Sequence, residues 1–260
     1  MVIIIGVAGS TSFWKRVQME KRTAKNLKNS YIKVKGQNLP DETYGGSQNF
    51  YAPPIAGMQS IEDRKKQKMG CGVVALADLF LYMGIKNNNC LSWRGRSYVN
   101  YTLDLKDYKC YFDEIYDLIG GVSLKYGISG IKLRYRFNQM ARRQGWQERA
   151  VWGFSGKKLF DRIEQMLERD IPVILCIPMM VRRKDKQDGL WLYRKKDDGF
   201  VQSDFMTGHY VVVTELFWEE EQYLAVSSWG TKYFIRWHEY ETLIHTHFLG
   251  TILGNILYIR

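Results

Sequence analysis

The chain has 260 residues, 45% of them hydrophobic, which is enough to build the core of one large domain or two small ones. This composition excludes a disordered or collagen-like protein. The net charge at pH 7 is +11, and residues 15–35 contribute +7 of it through eight basic residues and one acidic residue.

Residues 1–44 are predicted to form a basic N-terminal extension, with a helix from Thr11 to about Asn29. Turn-forming residues near its end, including Gly45 and Gly46, favour a boundary there, so residues 45–260 are expected to form one domain. A basic cluster can bind phosphates or another anionic surface, and an anionic partner for residues 15–35 is one interpretation of the charge. The alternative is that these side chains are simply solvated.

Four helices are predicted in the next part of the chain. The first follows Gly70 and contains an apolar stretch, Val73–Ile85, which is too long for an ordinary strand and therefore indicates a buried helix. That stretch has thirteen residues and contains Asp78, whereas a membrane-spanning helix needs about 20 apolar residues, so no transmembrane segment is expected. The other three helices are predicted at about Leu105–Leu118, at about Ile131–Arg143, and from a cap at Ser155 through Leu159, Ile163 and Leu167 to Pro172.

After that helix, short strand-like runs replace the helical pattern. Asp188-Gly189 and Asp198-Gly199 are tight-turn dipeptides that flank one of the runs and favour a hairpin. A helical first half followed by an antiparallel second half predicts an α+β fold. The predicted strands are Val173–Ile177, Trp191–Tyr193, His209–Trp218, Tyr223–Val226, Tyr233–Arg236 and Thr251–Ile259.

Cys71 is a candidate nucleophile because it lies where the buried helix should begin. A free thiol has a pKa of about 8.5, and a helix N-terminus or a nearby cation lowers it. Gly70 and Gly72 are expected to leave room for a substrate carbonyl, with first-turn backbone amides free to bind an oxyanion. The alternative is a small buried side chain at the start of an apolar helix.

A histidine and a pair of serines form the second candidate feature. His209 opens the strand Gly-His-Tyr-Val-Val-Val, and Ser227-Ser228-Trp229-Gly230-Thr231 follows at the end of the next strand. One serine could orient the imidazole, and Trp229 could cover that hydrogen bond from water and so strengthen it. Alternatively, His209 only packs at a strand end.

The order of these motifs resembles that of papain-like cysteine peptidases. Gly-Cys-Gly opens a buried helix, Gly-His-Tyr-Val-Val-Val forms a strand, and Ser-Ser-Trp-Gly-Thr follows. The strand in particular is similar to that of bacterial peptidases of the bacteriocin-processing type. The resemblance covers about Cys71 to Arg236 and implies a papain-like fold and a hydrolase of bacterial origin.

The resemblance also assigns roles to single residues. Cys71 matches the nucleophile, His209 the general base and Trp229 the shielding tryptophan, with Cys71 and His209 expected to form a thiolate–imidazolium pair. Ser227 occupies the position of the family's orienting asparagine and is taken as the orienting residue, with Ser228 or a backbone carbonyl as alternatives. The family's oxyanion glutamine lies six residues before the cysteine, where this chain has Lys65. Gln67 is the predicted substitute, and Gln59 a second one.

These roles predict a cysteine peptidase that cleaves peptide or amide bonds in a peptide or protein substrate through an acyl-enzyme. Acyl transfer to an amine by the same pair and an inactive binding module are the alternatives. No cofactor or metal is predicted, and His245 and His247 are expected to be surface residues. Asp78 is expected to make a structural hydrogen bond. Cys90, Cys110 and Cys176 are interpreted as structural, and the lack of a Cys-x-x-Cys pair or a disulfide scaffold favours a reduced, cytoplasmic compartment.

Overall fold

The computed structural model describes residues 24–37, 39, 41–53, 59–153, 158–179, 189–197, 199–246 and 250–260. They form a mixed α+β fold, as predicted. The helices are α1 (Ile61–Met69), α2 (Cys71–Asn88), α3 (Leu105–Ile119), α4 (Gly130–Arg143), α5 (Leu159–Glu168), α6 (Trp237–Thr246) and α7 (Gly250–Leu253), with a 3₁₀ helix at Gln48–Tyr51. The strands are β1 (Lys25–Asn26), β2 (Lys33–Lys35), β3 (Leu91–Trp93), β4 (Arg96–Tyr98), β5 (Thr102–Asp104), β6 (Ala150–Trp152), β7 (Val173–Ile177), β8 (Leu190–Lys196), β9 (Gly199–Met206), β10 (His209–Trp218), β11 (Gln222–Ser228), β12 (Thr231–Arg236) and β13 (Ile256–Ile259).

A nine-stranded antiparallel sheet carries most of the second half of the chain. Eight strands follow the order β6-β13-β7-β10-β11-β12-β8-β9, and β1 pairs with β10. Along one edge of β10, β7 covers residues 209–213 and β1 covers residues 215 and 216. On the other edge, β11 pairs with residues 212–218. Backbone hydrogen bonds therefore hold β10 on both edges, and His209 is its first residue.

The long helix α2 packs against β10 and is buried along most of its length. Apolar residues face every direction, which is typical of a helix surrounded by protein. Gly84 allows β3 to approach, because a Cβ atom there would lie 2.7 Å from the Cβ atom of Leu91. α3 and α4 cover α2 with large aromatic side chains that are fully or almost fully buried, namely Tyr108, Tyr111, Phe112 and Phe137.

The predicted boundary after residue 44 is wrong for the described part of the N-terminal segment. Ile32 and Val34 are fully buried in the main core, and β2 forms a parallel pair with β5. Asp170, itself buried, accepts a hydrogen bond of 2.7 Å from the backbone N–H of Lys28. Residues 24–44 therefore belong to the domain, because their apolar side chains complete its core.

The rest of the predicted basic extension is only partly described. Residues 1–23, which hold most of the predicted helix, lie outside the described residues, and Lys25–Asn26 forms a strand instead. Two of the basic residues in the described part are paired: Lys25 with Glu168 at 2.7 Å and Lys33 with Glu42 at 2.9 Å.

Three elements after residue 172 differ from the sequence prediction. β9 was not predicted because it is an edge strand with mostly polar or half-exposed side chains, and within the described residues it pairs with β8 alone. α6 was also not predicted, although its buried residues repeat at helical spacing. The predicted last strand begins at Ile256, since Gly250–Leu253 is helical. Ser155, Asp188 and Asp198 lie outside the described residues.

Within the described ranges, no single helix is long and apolar enough to cross a membrane. By length and composition α1 and α2 pass that test only as a pair, and they are bent by 74° where they meet.

Candidate active site

Cys71 is the first residue of α2, as predicted, and is partly exposed. The backbone N–H groups in the first turn of a helix have no acceptor within that helix, and here those of Cys71 and Gly72 donate to the Cys71 sulfur. The neighbouring glycines have a different role from the predicted one. A Cβ atom on Gly70 would lie 2.2 Å from the carbonyl oxygen of Lys66, and one on Gly72 would lie 2.5 Å from Cγ2 of Ile128. They let protein pack closely around Cys71 and do not open space for a substrate.

His209 lies beside Cys71 at the start of β10. Both residues line one narrow cavity, and the Cys71 sulfur accepts a hydrogen bond from the backbone N–H of Tyr210, the residue after His209. The His209 side chain is buried, at 6% exposure, and its strand position is fixed by the pairing with Ile177 of β7. The structure therefore places the two candidate residues named from the sequence on the same cavity.

Ser228, and not Ser227, contacts the imidazole. The Ser228 Oγ lies 2.8 Å from His209 Nε2, so Nδ1 is the ring nitrogen that this serine does not contact. Trp229 lies over this pair with its ring centroid 5.0 Å from that of His209. Its φ of +49° starts the turn to Gly230, and this turn brings the indole over the imidazole.

Assigning Ser227 as the orienting residue was wrong because neighbouring side chains on a strand point to opposite faces. Ser227 donates a hydrogen bond of 2.7 Å to the backbone carbonyl oxygen of Tyr44. It therefore fastens the N-terminal segment to the sheet while Ser228 faces His209.

Gln48 is the glutamine that lines the cavity. It is the first residue of the 3₁₀ helix, is 8% exposed, and shares the cavity with Cys71 and His209. The predicted substitutes lie elsewhere: Gln59 donates hydrogen bonds of 2.8 Å to Oε1 of Gln67 and to the carbonyl oxygen of Tyr51. The prediction of Gln67 was therefore wrong, because it assumed that the glutamine had to lie close to the cysteine in sequence.

A local signal for Gln48 did exist. Gly45, Gly46 and Ser47 precede it, and Ser47 caps the 3₁₀ helix by accepting a hydrogen bond of 3.1 Å from the backbone N–H of Asn49. Two glycines and a capping serine are typical of a tight turn leading into a helix. These glycines also resemble a domain boundary, and that interpretation hid the residue that follows them.

Burial favours the neutral form of both members of the candidate pair. It raises the pKa of the Cys71 thiol above its ordinary value, and hydrogen bonds from backbone N–H groups, first that of Tyr210, oppose the rise. It also lowers the pKa of His209 to about 4. Both shifts oppose the predicted thiolate–imidazolium pair, because separated charges are costly where the surrounding protein excludes water.

Asp78 lies beneath the cavity and makes the structural hydrogen bonds that were predicted. It is fully buried and accepts from Tyr108 Oη at 2.6 Å, from the backbone N–H of Gly46 at 2.9 Å and from Tyr31 Oη at 3.1 Å. Burial raises the pKa of its carboxyl group to about 6, and the three donors oppose the rise.

The remaining candidates do not line the cavity. Among the described residues there is no group of three or more His, Cys, Asp and Glu side chains that could hold a metal ion. His245 is exposed on α6, and His247 lies outside those residues. Cys176 is buried on β7, where burial raises its thiol pKa to about 12, and Cys90 and Cys110 are partly exposed.

A scan against protein-family models, a search of curated proteins and a search of solved structures each found no match to the chain.

Proposed function

We propose that the chain is a papain-like cysteine peptidase that hydrolyses peptide or amide bonds through Cys71 and His209. One observation carries the proposal: a thiol at a helix N-terminus shares a cavity with an imidazole whose far nitrogen is bonded to Ser228 beneath a tryptophan. A nucleophile, a base and a group that orients the base are the parts that covalent catalysis of acyl transfer requires.

In the first step the Cys71 sulfur attacks the carbonyl carbon of the substrate, and its proton passes to Nδ1 of His209. A C–S bond forms while the carbonyl π electrons move to oxygen. The backbone N–H of Cys71 and the side-chain amide of Gln48 supply hydrogen bonds to this oxyanion. His209 then protonates the leaving amine, the C–N bond breaks, and a thioester on Cys71 remains.

In the second step water attacks the thioester and gives its proton to His209. The C–S bond breaks, the acid product leaves, and the sulfur regains a proton from His209. A histidine with a pKa of about 4 is unprotonated at neutral pH and can receive the thiol proton, but it is a weak base in the resting site. We therefore place the proton transfer in the same step as C–S bond formation, so that charge appears only while the bond is forming.

Trapping the acyl-enzyme tests the proposal directly. The full chain is treated with 4-nitrophenyl acyl esters and with a peptide library, quenched in acid and mapped by mass spectrometry. The expected adduct is a hydroxylamine-sensitive acyl group on Cys71. Cys90, Cys110 and Cys176 are internal controls, and His209→Ala should remove the adduct.

The alternatives predicted from the sequence become outcomes of the same experiment. An acyl group that passes to an added amine faster than to water assigns acyl transfer. No adduct on Cys71 with any donor overturns the enzyme proposal and favours the inactive binding module. An anionic partner for residues 15–35 and a cytoplasmic location stay predictions, the first checked by the salt dependence of binding to a polyanion.

A further inference from the structure

A short loop, residues 43–48, carries Gln48 to the cavity, and we call it the glutamine loop. Its first half is held by backbone hydrogen bonds: Thr43 to Val34 at 2.9 Å, Tyr44 to Gly230 at 2.8 Å, and Gly45 to Ile32. Its second half turns away from these partners. There the backbone N–H of Gly46 donates 2.9 Å to Oδ2 of Asp78. This bond joins the glutamine loop to α2 two residues before Gln48.

The loop is packed against Asp78 and its neighbours with no spare room. A Cβ atom on Gly46 would lie 1.7 Å from Tyr108 Oη, and one on Gly45 would lie 2.8 Å from Asp78 Oδ2. Gly45 also has a φ of +82°, which favours glycine. The two glycines therefore allow the backbone, and not a side chain, to reach the carboxylate.

Asp78 also has a fixed relation to Cys71. It lies seven residues further along α2, on the same face of the helix and two turns below. The carboxylate thus touches the loop that carries Gln48 and belongs to the helix that carries Cys71. A displacement of Asp78 would change the distance between the Gln48 side-chain amide and the backbone N–H of Cys71, the two donors proposed for the oxyanion.

We propose that Asp78 is a positioning residue that sets the Gln48 amide against the backbone N–H of Cys71. The inference rests on the function proposed above, because it assigns a role within that site. The ionised carboxylate holds the loop more firmly than a neutral group could, since hydrogen bonds to an ionised acceptor are about twice as strong as neutral ones.

The state of Asp78 depends on the groups around it. Tyr31 and Tyr108 donate to it, Tyr111 lies close by on α3, and Cys71 and His209 face it from the same cavity. Its pKa is about 6, whereas that of His209 is about 4. Between pH 4 and 6, Asp78 gains a proton while His209 is still neutral. Loss of the loop contact and loss of the base thus occur in different pH ranges.

The first test is a double-mutant cycle between Asp78→Asn and Gln48→Ala. Asparagine keeps the shape but replaces one acceptor oxygen with an NH₂ group that cannot accept. Loss of an oxyanion donor costs about 10²–10³ in kcat, and we expect Asp78→Asn to cost a large part of that with little change in KM. In the Gln48→Ala background, Asp78→Asn should have almost no further effect on kcat.

Alkylation of Cys71 by iodoacetamide is the control reaction, because it forms no oxyanion. Its rate should be unchanged in both variants. Equal losses of kcat from Asp78→Asn with and without Gln48, or a parallel loss of alkylation, would overturn the positioning role.

The second test uses a matched pair of tyrosines and needs no substrate. Tyr108→Phe removes a donor that lowers the pKa of Asp78, so it should move that pKa upward. Tyr111→Phe removes an equally buried hydroxyl that instead donates 3.0 Å to the carbonyl oxygen of Ala77. The side-chain amide resonances of Gln48, assigned by their loss in Gln48→Ala, should titrate near pH 6 in the wild type. Their midpoint should rise in Tyr108→Phe and stay in place in Tyr111→Phe.

Gln48 resonances that do not respond to pH between 4 and 7 would overturn the inference, even if Asp78→Asn does not fold. An inactive wild-type chain whose Gln48 resonances follow Asp78 would contradict the proposed function instead. If the positioning role of Asp78 and the proposed function are both correct, the acid limb of the kcat–pH profile should lie near pH 6. Tyr108→Phe should then move that limb to higher pH. An acid limb near pH 4 would show that only His209 controls turnover and would count against Asp78.

Discussion

The two sides of the candidate cavity are held in different ways. On the sheet side, His209 and Ser228 lie on adjacent strands whose backbone ladders fix them. On the loop side, Gln48 depends on hydrogen bonds from distant parts of the chain, including Ser227 to Tyr44 and Gly46 to Asp78. The partners in those two bonds are 183 and 32 residues apart in sequence. The sheet side is therefore held by continuous backbone ladders, whereas the loop side depends on individual hydrogen bonds to separate segments of the chain.

Deleting residues 1–44, which include backbone partners of the glutamine loop, should have the largest effect on stability. A chain of residues 45–260 loses Tyr31, Ile32 and Val34 from the core and exposes the edge of β10 that β1 covers. Burying one such side chain contributes about 1.5–3 kcal/mol, and the whole domain has only about 5–15 kcal/mol of stability. We expect no cooperative unfolding transition in circular dichroism.

The control for this truncation is a chain of residues 24–260, which keeps every described residue and should unfold cooperatively. Equal transition midpoints for the two shortened chains would show that the glutamine loop is held without its N-terminal neighbours.

Removing one side chain from the loop side should affect turnover more than stability. Gln48→Ala is expected to lower kcat by about 10²–10³-fold, the usual cost of one oxyanion donor. Gln67→Ala is the matched control, since that residue bonds to Gln59 outside the cavity and should leave kcat unchanged. Steady-state kinetics with an ester and an amide substrate measure both. A larger loss in Gln67→Ala would return the role to the residue that the sequence favoured.

How much the sequence revealed follows the same division. The helix beginning at Cys71 and the strand beginning at His209 each have a continuous apolar pattern, so both elements could be predicted, and with them the positions of the two candidate residues at their first positions. The turn before Gln48 has a local signal, but nothing local indicates that Gln48 shares a cavity with Cys71, because the two residues belong to separate segments that meet only in the folded domain.

Two further errors have simple physical causes. Ser227 and Ser228 are adjacent in sequence, and only the pleat of β11 decides which one faces His209. The charge of the N-terminal segment favoured a solvated extension, yet Ile32 and Val34, on either side of Lys33, are fully buried in the core. Net charge describes the surface of a segment and carries no information about which of its side chains are buried.

The contributions of His209 and Asp78 to folding stability should also change with opposite sign as the pH falls. The pKa of His209 is about 4 in the folded chain against about 6.5 when unfolded, so the unfolded chain binds the proton first as pH falls. The contribution of His209 to stability is complete above pH 6.5 and is lost as pH falls to 4, by about 3 kcal/mol in total. His209→Gln should abolish that part of the pH dependence in urea unfolding.

Asp78 provides the opposite case. Its folded pKa of about 6 lies above its ordinary value of 3.8, so its contribution is complete below pH 3.8 and is lost as pH rises through 6. Asp78→Asn should therefore make the loss of stability at low pH steeper than in the wild type. If the two variants change the pH dependence in the same direction, the burial of one of these groups has been misassigned.

The smallest expected effects separate the two adjacent serines. Ser228→Ala removes the hydrogen bond to His209 Nε2, and one such bond contributes about 1 kcal/mol. We expect kcat/KM to fall by about tenfold or less, with little change in the urea midpoint. Ser227→Ala leaves the carbonyl oxygen of Tyr44 without its donor and should lower stability by about 1 kcal/mol, with a smaller loss of turnover.

Ser227→Asn sharpens the distinction, because asparagine is the residue that the papain-like resemblance implies at that position. There is no room for it: a Cβ atom on Gly45 would already lie 2.1 Å from Ser227 Oγ. The larger side chain should push the glutamine loop away and lower both stability and kcat. Higher turnover in Ser227→Asn, or a greater kinetic loss in Ser227→Ala than in Ser228→Ala, would mean that position 227 orients the imidazole after all. The sheet side would then depend on the same residue as the loop side, and the two could not be altered separately.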